Sequence, residues 1–167
     1  HHMQWLASAK KSLPLFRKMS VQTAFTEGWG AYAEWLPSSL GLYRDPYSNV
    51  GRLGLELWRA ARMVVDSGLH SQNWSREQAI TYLLSNTEQS EDEVTLAVER
   101  SLVKPGEAAA ASIGLLKIRA LHSEAHAHIG EAFDLKEFHH VLLRNGPLPL
   151  DVLEAQVADW VEGLKRP

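Results

Sequence analysis

Cysteine is absent from the 167 residues. That excludes a disulfide framework and any metal site built on thiolates, and it leaves cytoplasm and periplasm both open. No apolar run approaches the roughly 18 residues of a transmembrane helix. No secretory signal is visible either; the chain opens abruptly on His1-His2-Met3-Gln4, which would fit a leader standing further upstream. An excess of one charge is lacking too. The formal net charge of −3 gives no electrostatic case for a nucleic-acid partner or an anionic membrane. There is no Gly-x-Ser-x-Gly elbow, no glycine-rich phosphate loop and no dinucleotide fingerprint, so nucleophilic serine chemistry and nucleotide binding have no support. Nothing alternates with a period of two over a strand's length.

What is present is ordinary for a globular chain: 45% hydrophobic and 22% charged residues, in a length that suits one compact domain. The dominant pattern is helical. Met3 to Lys11 reads as a short helix closed by Ser12-Leu13-Pro14. A second helix is expected from Leu15 to about Leu36, apolar along Phe16, Met19, Ala24, Ala31 and Trp35 and stopped by Pro37. A loop spans Ser38 to Ser48. Gly51 to Val65 is amphipathic through Leu53, Leu57, Ala60 and Val64, and ends near Gly68. Ser75 with Gln78, and Ser90 with Glu93, are capping boxes that open two further helices. After Pro105-Gly106, helices are expected over Glu107 to His128, Leu135 to Leu143 behind an Asp134 cap, and Leu150 to Leu164. The fold class is all-α, a single domain of about seven helices over residues 1–167.

Three groups of residues invite a chemical reading. Glu27 and Glu34 lie seven apart on one helical face, and Gly28 and Gly30 flank Trp29 between them. Each glycine costs ~1 kcal/mol relative to alanine inside a helix, so something needs close approach there. That something is either a site or a helix crossing that leaves an acid in solvent, and the pattern alone weighs toward the crossing. Arg59, Arg62, Asp66 and His70 form a stripe at spacings of three and four. It reads as a cleft wall or as a salt-bridge chain fixing a helix end. His122 and His126 are four apart, as two imidazoles on one metal would be, but Ser123 stands where an HExxH motif needs glutamate. With His128 they read mostly as surface histidines. His139, beside Phe138, reads as a partly buried one. His1-His2-Met3 fits either an expression tag or a native motif.

The stretches Thr26-Glu27-Gly28-Trp29 through Glu34, Arg59 through His70, Trp74-Ser75-Arg76-Glu77, Lys104-Pro105-Gly106-Glu107-Ala108, Phe133 through His139 and Gly146-Pro147-Leu148-Pro149-Leu150 carry a resemblance. The chain resembles the C-terminal part of the bacterial family called domain of unknown function 885, a family that looks like a zinc peptidase of the glutamate-zincin type. The family's metal motif reads His-Glu-x-x-Pro-Gly-His-His, usually followed by Leu-Gln, and His1-His2-Met3-Gln4 matches its tail. The leading His-Glu of that motif would stand upstream of His1. The resemblance implies a larger helical fold and metal-assisted hydrolysis of peptides or small amides by a zinc-bound water. It implies Glu27 as a zinc ligand, with His1 or His2 as another, and Glu34 orienting a histidine ligand. Asp66 would stand in the same supporting layer, with His70 or Arg62 contacting an oxyanion or carboxylate. Without the upstream pair, these residues alone are expected to hydrolyse nothing. The family often reads Pro-Gly-Gln-Ala-x-Ser-Tyr, whereas here Glu107 and Ala111 stand at the Gln and Tyr positions, and Ser101 replaces another frequent tyrosine. Those departures imply altered specificity, or a helical scaffold derived from such an enzyme with a decayed site. A face bared by truncation would also favour a homodimer.

Overall fold

The computed structural model describes residues 1–9 and 13–165. Among them are nine α-helices, one 3-10 turn and no strand. In chain order they are α1 (His2–Ser8), α2 (Leu15–Met19), α3 (Thr23–Ser39), α4 (Pro46–Ser71), α5 (Arg76–Asn86), α6 (Glu91–Val103), α7 (Glu107–Ile129), the 3-10 turn Gly130–Ala132, α8 (Leu135–Leu143) and α9 (Leu150–Lys165). The all-α expectation is met. The expected end of the first helix at Lys10 and Lys11, and its closing Ser12, lie outside the described residues. The chain packs as two compact units, His1–Tyr32 with Ile113–Pro167, and Ala33–Ser112.

In the first unit, α3 buries Phe25, Trp29 and Tyr32, spaced four and three apart along one face. Also buried in this unit are Ile118, Leu121 and Ala125 of α7, Phe138, Val141 and Leu142 of α8, and Leu153 and Val157 of α9. Helices α3 and α7 meet at a pair of glycines. A Cβ on Gly28 would stand 2.5 Å from the carbonyl carbon of Gly114, and one on Gly114 would run into the carbonyl of Ala24. Gly28 thus serves the close crossing that the pattern suggested.

The expected helix from Leu15 to Leu36 is two helices. Ser20 is extended (φ −67°, ψ 130°), which separates α2 from α3. The break resets the helical phase, so Phe16 and Met19 are 69% and 73% exposed rather than part of a continuous apolar face. Pro37 does not stop α3. It stands in the last turn, and the helix ends at Ser39, before Gly41 turns the chain at φ +66°.

In the second unit, Ala61 and Val65 of α4 pack against Ala79 and Leu83 of α5 and Val94 and Val98 of α6. Helix α4 is longer at both ends than its amphipathic stretch suggests. Asp45 caps it by accepting from the Tyr47 and Ser48 N–H groups, with Pro46 at the first helical position. It runs through Gly68 to Ser71 because Gly68 lies directly under the Trp74 indole, where a Cβ would collide. Both expected capping boxes, Ser75 with Gln78 and Ser90 with Glu93, are formed.

Candidate functional site

The Glu27 face of α3 is opposite its core face. Phe25, Trp29 and Tyr32 point inward, and Glu27 and Gly30, three apart, share the outer side. Glu27 is exposed, and among the described residues no hydrogen bond or ion pair engages it. Gly30 receives the His1 imidazole: a Cβ there would lie 3.1 Å from His1 Nε2 and 3.2 Å from Cε1. The ring is held from its other side. His1 Nδ1 is 3.0 Å from Gln4 Oε1, and Gln4 Nε2 donates to the Thr26 carbonyl at 3.1 Å. Gln4 is itself buried. The two glycines flanking Trp29 therefore answer different needs, Gly28 a helix crossing and Gly30 an imidazole. His2 faces elsewhere; its ring stacks on Trp5 at 6.2 Å.

Glu34 is ion-paired with Arg59, and Tyr43 donates to its backbone carbonyl at 3.4 Å. Arg62 lies over the Trp58 ring, 5.8 Å from its centroid. Asp66 is buried and accepts three backbone N–H groups, from Gly106 at 2.9 Å, Ala108 at 3.1 Å and Ala109 at 3.2 Å. It satisfies the start of α7, where helical N–H groups have no partner inside the helix. His70 Nε2 donates to the Ser101 carbonyl at 2.9 Å and stands 3.8 Å from Asp66. The departure at Glu107 has a local partner: the Arg100 guanidinium grips its carboxylate at 2.6 and 2.9 Å and holds it down to about 2. Among the described residues no three His, Asp or Glu side chains converge as metal donors.

A second cluster escaped the sequence reading. His122 is half-buried, edge-on to Phe133 at 5.3 Å and Phe138 at 5.5 Å, whereas His126 and His128 are exposed as expected. His139 bonds the buried Tyr32 hydroxyl at 3.0 Å and meets Trp29 edge-on. The signal was the aromatic spacing of Phe133 and Phe138, but it acquires meaning only once α8 packs beside α7. Burial holds both imidazoles below the ordinary histidine value, helped by His126 for His122 and by His122 for His139. Burial also pushes the Tyr32 hydroxyl up, so it stays protonated. Below pH ~6.5 the unfolded chain takes up protons that these folded rings refuse. Their contribution to stability is therefore complete above that pH and is lost as pH falls toward the lowered folded values. Thermal melts at constant ionic strength should show Tm falling from about pH 6.5 to 5. His122→Phe, which suits its aromatic surroundings, should flatten that slope, and a flat wild-type profile would contradict the account.

Residues 1–157 match the profile of a bacterial protein family of unknown function, DUF885. The chain belongs to this family. The match includes His1 and His2. Over 96% of its length the chain superposes, with a TM-score of 0.91 and 42% identity, on the crystal structure of a candidate lipoprotein from Colwellia psychrerythraea. A candidate lipoprotein of unknown function from Shewanella oneidensis shares the fold at a TM-score of 0.86 and 23% identity over 95% of the chain. The chain spans only 28% and 29% of the length of these two structures. No curated protein matches it.

Proposed function

We propose that this DUF885 segment carries part of the zinc site of a metallopeptidase-like hydrolase acting on peptides or small amides. The observation that supports this best is the His1 ring seated on the bare Gly30 backbone, on the face of α3 that also presents the uncommitted carboxylate of Glu27. An imidazole nitrogen and a carboxylate oxygen are the donor types that hydrolytic zinc takes. Two donors are fewer than the three protein ligands such a site needs, so the remaining ligand and the general base would come from the portion of a longer chain that the relatives carry. When bound, zinc supplies a water acidified to a pKa of ~7 and polarises the scissile carbonyl. Glu27 and His1 would hold it; His2, whose ring is turned onto Trp5 here, is the other candidate imidazole. His70 and Arg62 remain candidates for substrate or oxyanion contact, and Glu34 and Asp66 for support of the site.

The test is elemental analysis of the intact protein, followed by a peptide-panel assay with zinc and with chelator. Bound zinc and chelator-sensitive cleavage are expected; equal cleavage in both conditions would sink the reading. The rival reading is a helical scaffold descended from such an enzyme, and the losses at Ser101 and Ala111 favour it. It predicts a metal-free intact protein that Glu27→Ala leaves unchanged. Apart from either reading, Leu15, Phe16, Met19 and Val21 are all about seven-tenths exposed or more. These 167 residues expressed alone should therefore self-associate through that apolar surface. Light scattering should give a mass that grows with concentration, and a clean monomer would count against it.

A further inference from the structure

We infer that Gln4 is a positioning residue that fixes the tautomer of His1 and leaves its Nε2 free to ligate a metal; this rests on the zinc reading above. The assignment follows from donors and acceptors alone. The Thr26 carbonyl can only accept, so the Gln4 atom 3.1 Å from it must be the amide nitrogen. The other end of the amide is then its oxygen, which can only accept. The His1 Nδ1 that lies 3.0 Å away must therefore carry a proton. A neutral imidazole has one N–H, so Nε2 holds a lone pair. That nitrogen is the one lying over Gly30, three residues along α3 from Glu27. The amide cannot reverse, because its nitrogen would then face Nδ1 while its oxygen faced a carbonyl. Burial of Gln4 and the anchor on the α3 backbone keep this orientation, while Gly30 admits the ring. Outer hydrogen bonds of this kind orient metal-binding histidines and set which nitrogen is available.

The experiment uses the intact protein and three forms: wild type, Gln4→Leu and Gln4→Glu. Leucine has similar bulk and no acceptor; glutamate keeps an acceptor for Nδ1–H but gives up donation to Thr26. Two readouts are taken, the zinc Kd by chelator competition and the His1 tautomer by nitrogen-15 NMR of the metal-free protein at a pH where the ring is neutral. Wild type should show Nδ1–H. Gln4→Leu should lose that preference and bind zinc about 10- to 100-fold more weakly. Gln4→Glu should keep the tautomer and most of the affinity, which a purely structural role for Gln4 would not produce. Zinc affinity in Gln4→Leu equal to wild type, or a wild-type Nε2–H tautomer, would overturn the inference alone. A wild type that binds no zinc would overturn the metal reading itself.

Discussion

Glu27→Ala in the intact protein is expected to abolish chelator-sensitive cleavage, by more than about 1,000-fold in kcat, or about 4 kcal/mol of activation barrier. It should also strip bound zinc, with a loss larger than the roughly 10- to 100-fold that a supporting residue costs. The fold should not notice. Glu27 is exposed and no hydrogen bond engages it among the described residues, so Tm should move by no more than about 0.5 kcal/mol of stability would produce. That separation of function from stability is the point of the experiment. The seven-residue neighbour Glu34 provides the contrast. It already holds Arg59 at a half-exposed site, so Glu34→Ala breaks a surface ion pair worth at most about 1 kcal/mol. If Glu34 orients a metal ligand in the intact protein, zinc affinity will fall with it; if the Arg59 pair is its whole role, zinc affinity will stay. Elemental analysis of both variants beside wild type measures all of this. A Glu27→Ala protein that keeps its zinc and its rate would remove the residue from the site.

The helix starts were the most legible part of this chain, because a cap is a local chemical event. Ser75 with Gln78, Ser90 with Glu93, and Asp134 all declare themselves within four residues and all form. The start of α4 was equally local, Asp45 followed by Pro46, but the loop-like composition around it hid the cap. Helix ends were harder. Gly68 looks like a stop, yet its lack of a side chain admits Trp74 and the helix continues. The candidate site was legible in the same uneven way. Glycines around Trp29 announced close approach, but only tertiary structure separates the crossing at Gly28 from the imidazole seat at Gly30. The stripe of Arg62, Asp66 and His70 suggested partners one turn away. Asp66 does stand 3.8 Å from His70, but its hydrogen bonds go to backbone groups 40 to 43 residues later, a relation that helical spacing does not encode.

Asp66 is for that reason the residue whose loss should cost the fold most. The residue is 2% exposed, and both carboxylate oxygens are committed to N–H groups at the start of α7. Removing it leaves three donors without their acceptor, one at the buried Ala108 and two at the more accessible Gly106 and Ala109, each worth up to about 1–3 kcal/mol if left unpaired. Partial relaxation and water entry lower the sum, so Asp66→Ala is expected to cost about 3–5 kcal/mol. In a chain of this size that lowers Tm by roughly 10 °C or more. Asparagine should rescue it only in part, because its oxygen can accept from Ala108 and Ala109 while its NH₂ then faces the Gly106 N–H. The comparison is Asp134→Ala at the exposed start of α8, where one N–H is capped in reach of solvent and the loss should be about 1 kcal/mol. Thermal melts of the two variants side by side check the ratio. Equal, small shifts would mean that the α7 start is stabilised by its packing and not by the carboxylate. Zinc affinity of Asp66→Asn, measured below its lowered Tm, then tells whether Asp66 supports the metal as well as the helix. The geometry of three backbone donors on one carboxylate predicts that it supports the helix.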